Sequence, residues 1–199
     1  TMERVRVHHF NGDNFSWQIT EQVSVLQCES DHASGLGFHP GTGSDATRIE
    51  DCRCHDNKGD GIFLCWRVQN AVFRNNEIFA NGQYGISIGH KDTDNLFENN
   101  RVYGNGSHGV YFREESEENG GHRNVFKRNT VEDNGVSVKP AYGFYIGGTT
   151  HDILIENTIV RSTGKGHQAG AIFLGKNASK IVERNNTFAG HPGVVREGQ

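Results

Sequence analysis

The chain has 199 residues, of which 34% are hydrophobic, with 26 Gly, 12 Phe and only 3 Pro, and its formal net charge is -4. So small a charge beside that many Phe excludes a disordered chain, the acidic balance gives no basis for nucleic-acid binding, and no apolar run approaches membrane-spanning length. What remains is one sizeable folded unit with a thin core and many tight turns.

Residues 1–14 show no amphipathic cap helix and read as a partial N-terminal coil. Beyond them a Gly followed by apolar–any–apolar recurs as Gly35-Leu-Gly-Phe, Gly61-Ile-Phe-Leu, Gly85-Ile-Ser-Ile, Gly109-Val-Tyr-Phe, Gly143-Phe-Tyr-Ile and Gly170-Ala-Ile-Phe. A degenerate Gly193-Val-Val-Arg follows in a terminal coil over 180–199. The steps are 26, 24, 24, 34, 27 and 23 residues, the longest carrying an insertion. A short unit repeated at this period marks a solenoid.

Superposed, the copies form columns. Ile49, Phe73, Phe97, Phe126, Ile155 and Val182 make one apolar column, and Cys54, Ile78, Val102, Val131 and Val160 a second. Leu36, Ile62, Ile86, Val110 and Phe144 make a third, and Phe38, Leu64, Ile88, Phe112, Ile146 and Phe173 a fourth. Alternation within each run has period two, which is a strand with one face inward. No window holds a helical stripe. Asn76, Asn100 and Asn129 align, as do Asn57, Asn81, Asn105 and Asn134. Stacked amides form hydrogen-bonded ladders when parallel strands lie about 4.8 Å apart, and Asn also tolerates left-handed backbone at bends. Glu50, Arg74, Glu98, Lys127 and Glu156 mostly alternate in sign, as do Arg53, Glu77 and Arg101, so each charge would meet its opposite on the next strand.

These repeats, Asn75-Asn-Glu-Ile-Phe-Ala-Asn-Gly-Gln-Tyr-Gly-Ile-Ser-Ile being the clearest, resemble the pectate-lyase-like superfamily over roughly residues 15–195. The expected fold is all-β, a right-handed parallel β-helix, a single-stranded solenoid of about seven coils. Residues 1–199 are expected to form one domain of this kind, a piece of a longer protein being equally compatible. The four cysteines, Cys28, Cys52, Cys54 and Cys65, lack any CxxC spacing for zinc and read as buried free thiols.

A solenoid core is apolar, so a site must lie on an outer face or its loops. Unusual residues gather after the Gly-apolar strand: His39-Pro-Gly-Thr, Cys65-Trp66-Arg67, His90-Lys91-Asp92 and Arg113-Glu114-Glu115. Phe63, Ser87, Tyr111 and Tyr145 occupy outward strand positions beside them, and insertions at 114–123 and 135–142 fall on the same side. Aromatic rings beside cations and carboxylates suit a sugar chain, with rings on pyranose faces and cations at uronate carboxylates. Trp66, Arg67, Tyr145, Asp92 and Glu114 are the candidates for holding it.

The resemblance implies a lyase or epimerase that removes the proton next to a uronate carboxylate, a step needing a base, an acid and a cation for the enolate. His90 is then the candidate base, Arg113 and Lys91 the neutralisers, and Tyr111 the proton donor. His39 is an alternative base, because Gly37-Phe38-His39-Pro40 is similar to the Gly-Phe-Asp-Pro-His segment of alginate epimerases. It departs from that segment in having His39 for Asp and Gly41 for His. No cofactor is required. A calcium ion would need Asp92, Glu114 and Glu115 to converge, and hydrolysis would rest on Asp60 and Asp92. The competing function is a non-catalytic glycan-binding or adhesive module. The expected partner is a polysaccharide, with no nucleic acid and no membrane; oligomeric state stays open, and an extracellular or periplasmic location follows from the resemblance alone.

Overall fold

The computed structural model describes residues 1–198, which contain strands and turns only. Each coil gives one short strand to each of three parallel sheets, and each sheet has eight strands. The first sheet runs from Met2–Glu3 through Val72–Arg74 to Ser179–Arg184, the second from Arg6–His8 through Glu77–Phe79 to Thr187–Ala189, and the third from Phe15–Trp17 through Ile86–Ile88 to Val194–Arg196. There are thus eight rungs against about seven legible repeats. The first rung escapes the repeat because Asn14, not Gly, precedes Phe15.

The register makes residues two dozen apart into neighbours. Phe97 pairs with Phe73 and with Phe126; the rings lie nearly parallel at 4.6 Å, and all three are fully buried. Such stacking adds about 0.5–1.5 kcal/mol per pair beyond burial. Outside, Arg74 Nε lies 2.8 Å from Glu98, Arg53 Nε 3.2 Å from Glu77 and Lys127 Nζ 3.6 Å from Glu156. Partly exposed pairs of this kind contribute little singly.

Some expected columns shift. Phe38, not Leu36, pairs with Ile62, so the marker of that rung is Gly37. A Cβ on Gly37 would strike Cys54 Sγ and lie 2.6 Å from Gly61 O, as one on Gly85 would lie 2.6 Å from Gly109 O. Gly35 and Gly37 are two residues apart, so a period-two pattern cannot choose between them. Ile172 pairs with Phe144, which turns Phe173 outward beside Tyr145. Val182 lies over Leu154, and Glu183 continues the Phe97 column. Glu183 and Arg196 therefore take over inward columns in the last rung, where burial raises the Glu183 pKa and Arg196 opposes the rise.

Both Asn ladders form. Asn76 Nδ2 donates to Asn100 Oδ1 (3.0 Å), and Asn100 Nδ2 to Asn129 Oδ1 (3.1 Å). Asn57, Asn81, Asn105 and Asn134 link in the same way at 2.9, 3.0 and 3.0 Å. The left-handed bend sits one residue earlier, at Asn75 (φ 56), Ala80 (φ 53), Asn99 (φ 55), Arg128 (φ 55) and Asp133 (φ 50). The ladder Asn supplies the hydrogen bonds that hold the bend, and its neighbour supplies the unusual backbone.

Candidate functional site

The outer face of the third sheet carries most of the exposed aromatic chemistry. Asp60, Tyr84, His108 and Tyr142 each precede a buried Gly at the strand entrance, while Ser87, Tyr111, Tyr145 and Phe173 form the outward row of the strands. Tyr84 stacks on Tyr111 at 4.2 Å, His108 on Tyr145 at 4.8 Å, and Tyr145 on Phe173 at 4.7 Å. Rings spaced by about one strand interval (~4.8 Å) stack along the solenoid axis and turn their edges to solvent. They floor the face by stacking on one another, so Tyr145, expected to hold the sugar, has its ring planes covered by His108 and Phe173. His108 Nδ1 accepts the Tyr142 N–H (3.1 Å), and burial pushes its pKa down to about 4. It is a neutral histidine with its proton on Nε2. Asp60, buried below, accepts the Tyr84 N–H (3.0 Å), and burial pushes it up to about 6.

The turn leaving the third sheet holds the expected cluster. Trp66 and Arg67 (φ 66 and 66) sit one rung from His90 and Lys91 (φ 48 and 65), two bulky pairs in left-handed backbone. Such backbone costs on the order of 1–3 kcal/mol per residue and persists where surroundings over-determine it. Here Arg67 N–H donates to His90 O (2.9 Å) and Lys91 N–H to Asn119 O (2.9 Å). Trp66 is 39% exposed and lies 5.6 Å from the His90 ring. His90 Nε2 lies 2.8 Å from Glu115 Oε1. Burial and then the Arg113 charge push the His90 pKa down, against Glu115, so the neutral, proton-accepting form prevails at pH 7. Its Nδ1 is buried without a hydrogen-bond partner among the described residues.

Arg113 is in the floor of this cluster. Its Nη1 donates to Ser87 Oγ (2.8 Å), and its Nη2 to Leu64 O (2.8 Å) and Asp92 Oδ2 (3.1 Å), with the guanidinium 4.6 Å over the Phe63 ring. Gly89 permits this, because a Cβ there would lie 2.7 Å from Arg113 Nε. Asp92 is fully buried and also accepts the Val68 N–H (3.0 Å) and the Gly89 N–H (3.2 Å); burial nonetheless pushes it up to about 7. Asp92 therefore pins Arg113 and the His90 turn and is out of reach of a ligand, a correction to its expected place on the sugar. Lys91 pairs with Glu118 at 2.9 Å. Tyr145 Oη donates to Glu114 Oε1 (2.8 Å).

His39 stands apart from Tyr111 by three rungs, about 14 Å at the strand spacing. Its Nδ1 lies 2.7 Å from Asp13 Oδ2, whose other oxygen accepts the Leu36 N–H (2.8 Å). Its ring packs edge-on to Phe63 at 5.4 Å, and its Nε2 is buried without a partner among the described residues. Asp13 precedes the first legible repeat, so no column exposed it. Tyr84 and His108 were also missed, although their position before each marker Gly was visible.

The three carboxylates that a calcium ion would need are each engaged elsewhere. Asp92 turns to Arg113, Glu114 to Tyr145, and Glu115 to His90, so the three carboxylates do not converge. A concavity of about 340 Å³ lies elsewhere, over the second sheet, among Arg101, Tyr103, Val136, Arg161 and Lys165. There Arg101 and Arg161 both clamp Glu132. The third-sheet site is an open face.

The sequence profile of the right-handed β-helix region family matches residues 1–160. The chain belongs to that family. No curated protein sequence matches it. Among solved structures, the A-module of the Azotobacter vinelandii mannuronan C-5 epimerase AlgE4 is similar at TM-score 0.73 and 17% identity, over 98% of this chain and 63% of that one. The periplasmic alginate epimerase AlgG is similar at TM-score 0.66 and 15% identity, over 92% of this chain and 47% of that one. An alginate lyase from Paenibacillus sp. str. FPU-7 gives TM-score 0.67 and 15% identity, over 92% of this chain and 76% of that one. The chain thus spans between about half and three quarters of these relatives, and at such identities they share its fold.

Proposed function

We propose that this chain acts on an acidic polysaccharide laid across the outer face of the third sheet, by β-elimination or epimerisation at a uronate residue. The observation that carries the proposal is the His90–Glu115 pair (2.8 Å) beside exposed Trp66 and above Arg113. Neutral His90 takes the proton next to the uronate carboxylate on Nε2, which the incoming sugar frees from Glu115, because Nδ1 is buried. The electron pair left behind delocalises into that carboxylate, which Lys91, Arg67 and the Arg113 charge stabilise. In elimination the pair then forms a double bond and the glycosidic oxygen leaves with a proton; in epimerisation a proton returns from the opposite face. Tyr111 is the donor, its hydroxyl kept protonated because burial and then Tyr84 raise its pKa. Several structural relatives are named as alginate epimerases and a lyase, which supports this class of substrate and an extracellular or periplasmic location.

A second reading is a glycan-binding module without turnover. It is favoured by Arg113, whose side chain is only 14% exposed and whose Nη donors are committed. The test is a panel of uronate polymers followed by the ultraviolet absorbance of unsaturated products and by proton exchange at the epimerised carbon. Turnover lost in His90→Ala and retained in His39→Ala is the expected result. The opposite pattern moves the base to His39, and Trp66-dependent binding with no turnover establishes the binding module.

A further inference from the structure

The charge on the third-sheet face is divided along its length, and the division bears on what the polymer must be. Around Trp66 the cations are Arg67, which makes no ion pair among the described residues, Lys91, paired with Glu118, and Arg113, paired with Asp92. Three and four rungs from Trp66, at Tyr145 and Phe173, the charge is negative. Exposed Glu114 accepts the Tyr145 hydroxyl through Oε1 (2.8 Å) and the Gly148 N–H through Oε2 (2.7 Å). Glu197 adds a second carboxylate, held by the Lys176 N–H at 2.7 Å. Burial and then the hydrogen bond to Glu114 raise the Tyr145 pKa, with Tyr111 and Glu197 adding to the rise.

The chemistry of that end is therefore ring edges and hydrogen-bond acceptors. The Tyr145 proton is already spent on Glu114, leaving oxygen lone pairs to meet a ligand. Sugar hydroxyls are donors and suit such a surface, whereas a uronate carboxylate there would face the like charges of Glu114 and Glu197. The rung spacing, about 4.8 Å, is close to the length of one pyranose residue, so a polymer crossing both regions places different residues on each.

We infer that the polymer carries uncharged sugar residues where it crosses Tyr145 and Phe173, so that the substrate is a heteropolymer of acidic and neutral sugars and not a homopolyuronate. This rests on the assignment of the third-sheet face to a sugar polymer. The test is calorimetric binding of alginate and polygalacturonate, charged at every residue, against gellan and hyaluronan, in which neutral residues separate the acidic ones. Each is measured at low and at physiological salt on the full chain, Glu114→Gln and Glu114→Lys.

The wild-type chain should prefer the heteropolymers. Glu114→Lys should raise affinity for alginate roughly tenfold at low salt, with Glu114→Gln between the two and the melting temperatures of all three alike. Either equal or tighter binding of alginate by the wild type, or an alginate affinity that Glu114→Lys leaves unchanged, overturns the inference while leaving the polymer site in place. Failure of the wild type to bind any of the four polymers overturns the site assignment itself.

Discussion

Replacing Asn105 by Ala should damage this molecule more than its one lost amide suggests. Asn105 is fully buried. Its Oδ1 accepts the Asn81 N–H (3.1 Å) and Asn81 Nδ2 (3.0 Å), and its Nδ2 donates to Ile78 O (3.2 Å) and Asn134 Oδ1 (3.0 Å). The Asn134 oxygen would keep the Asn105 N–H (3.1 Å), but both Asn81 donors would face a methyl group in a dry interior. A buried group left unpaired costs about 1–3 kcal/mol, so the two donors alone predict a loss of about 2–6 kcal/mol. Urea unfolding followed by circular dichroism measures it. Asn11→Ala is the control, since Asn11 is exposed and accepts a single bond from Ser34 Oγ (3.1 Å); it should cost about 0.5 kcal/mol or less. If Asn105→Ala costs no more than that control, the ladder is incidental and the coils are held by apolar packing alone.

Phe97→Ala removes the middle ring of a buried stack and should cost about 3–5 kcal/mol in the same assay; a loss below about 1 kcal/mol contradicts the column. Histidine at position 108 titrates at about 4 when folded against an ordinary 6.5. Its contribution is complete above pH 6.5 and lost as pH falls toward 4, by about 3 kcal/mol. Asp60 and Asp92, raised by burial, act in the opposite sense, so the measurement is the stability difference between wild type and His108→Gln, which should fall by about 3 kcal/mol from pH 7 to 4 and would stay constant if His108 titrated normally. Of the four free thiols, Cys28, Cys52 and Cys54 are buried, with Cys52 pushed up to about 12 by burial. A disulfide exchange reagent should modify Cys65 first and the others only as fast as the chain opens; rapid modification of all four refutes the buried assignment.

How much of this was legible depended on strict spacing. Phe73, Phe97 and Phe126 could be placed from sequence because each interval is one coil and the intervening loop keeps its polar markers. The Leu36–Phe38 ambiguity arose where two residues of the same parity competed, and the shift at Phe173 where Ala171-Ile172-Phe173-Leu174 is an unbroken apolar run; hydrophobic alternation resolves neither. Backbone clash at Gly37 and the bulge between Ala141 and Tyr142 decided them. The structure brings Trp66, His90, Arg113 and Phe63 to one side of the solenoid. Their mutual roles were not readable: that Arg113 is spent on Leu64 O, Ser87 and Asp92 depends on side-chain paths across three rungs. Asp13 lay in a rung without the repeat, so its pairing with His39 carried no sequence signal.

Amide hydrogen exchange, recorded with and without whichever of alginate, gellan and hyaluronan binds, tests most directly whether the third-sheet face is the polysaccharide surface. Protection should concentrate at residues 64–67, 87–92 and 111–115 and extend to 145–148. Protection confined to the concavity around Tyr103, Glu132 and Thr163, on the second sheet, would place the ligand on the wrong side of the solenoid for His90 and Trp66 to touch it.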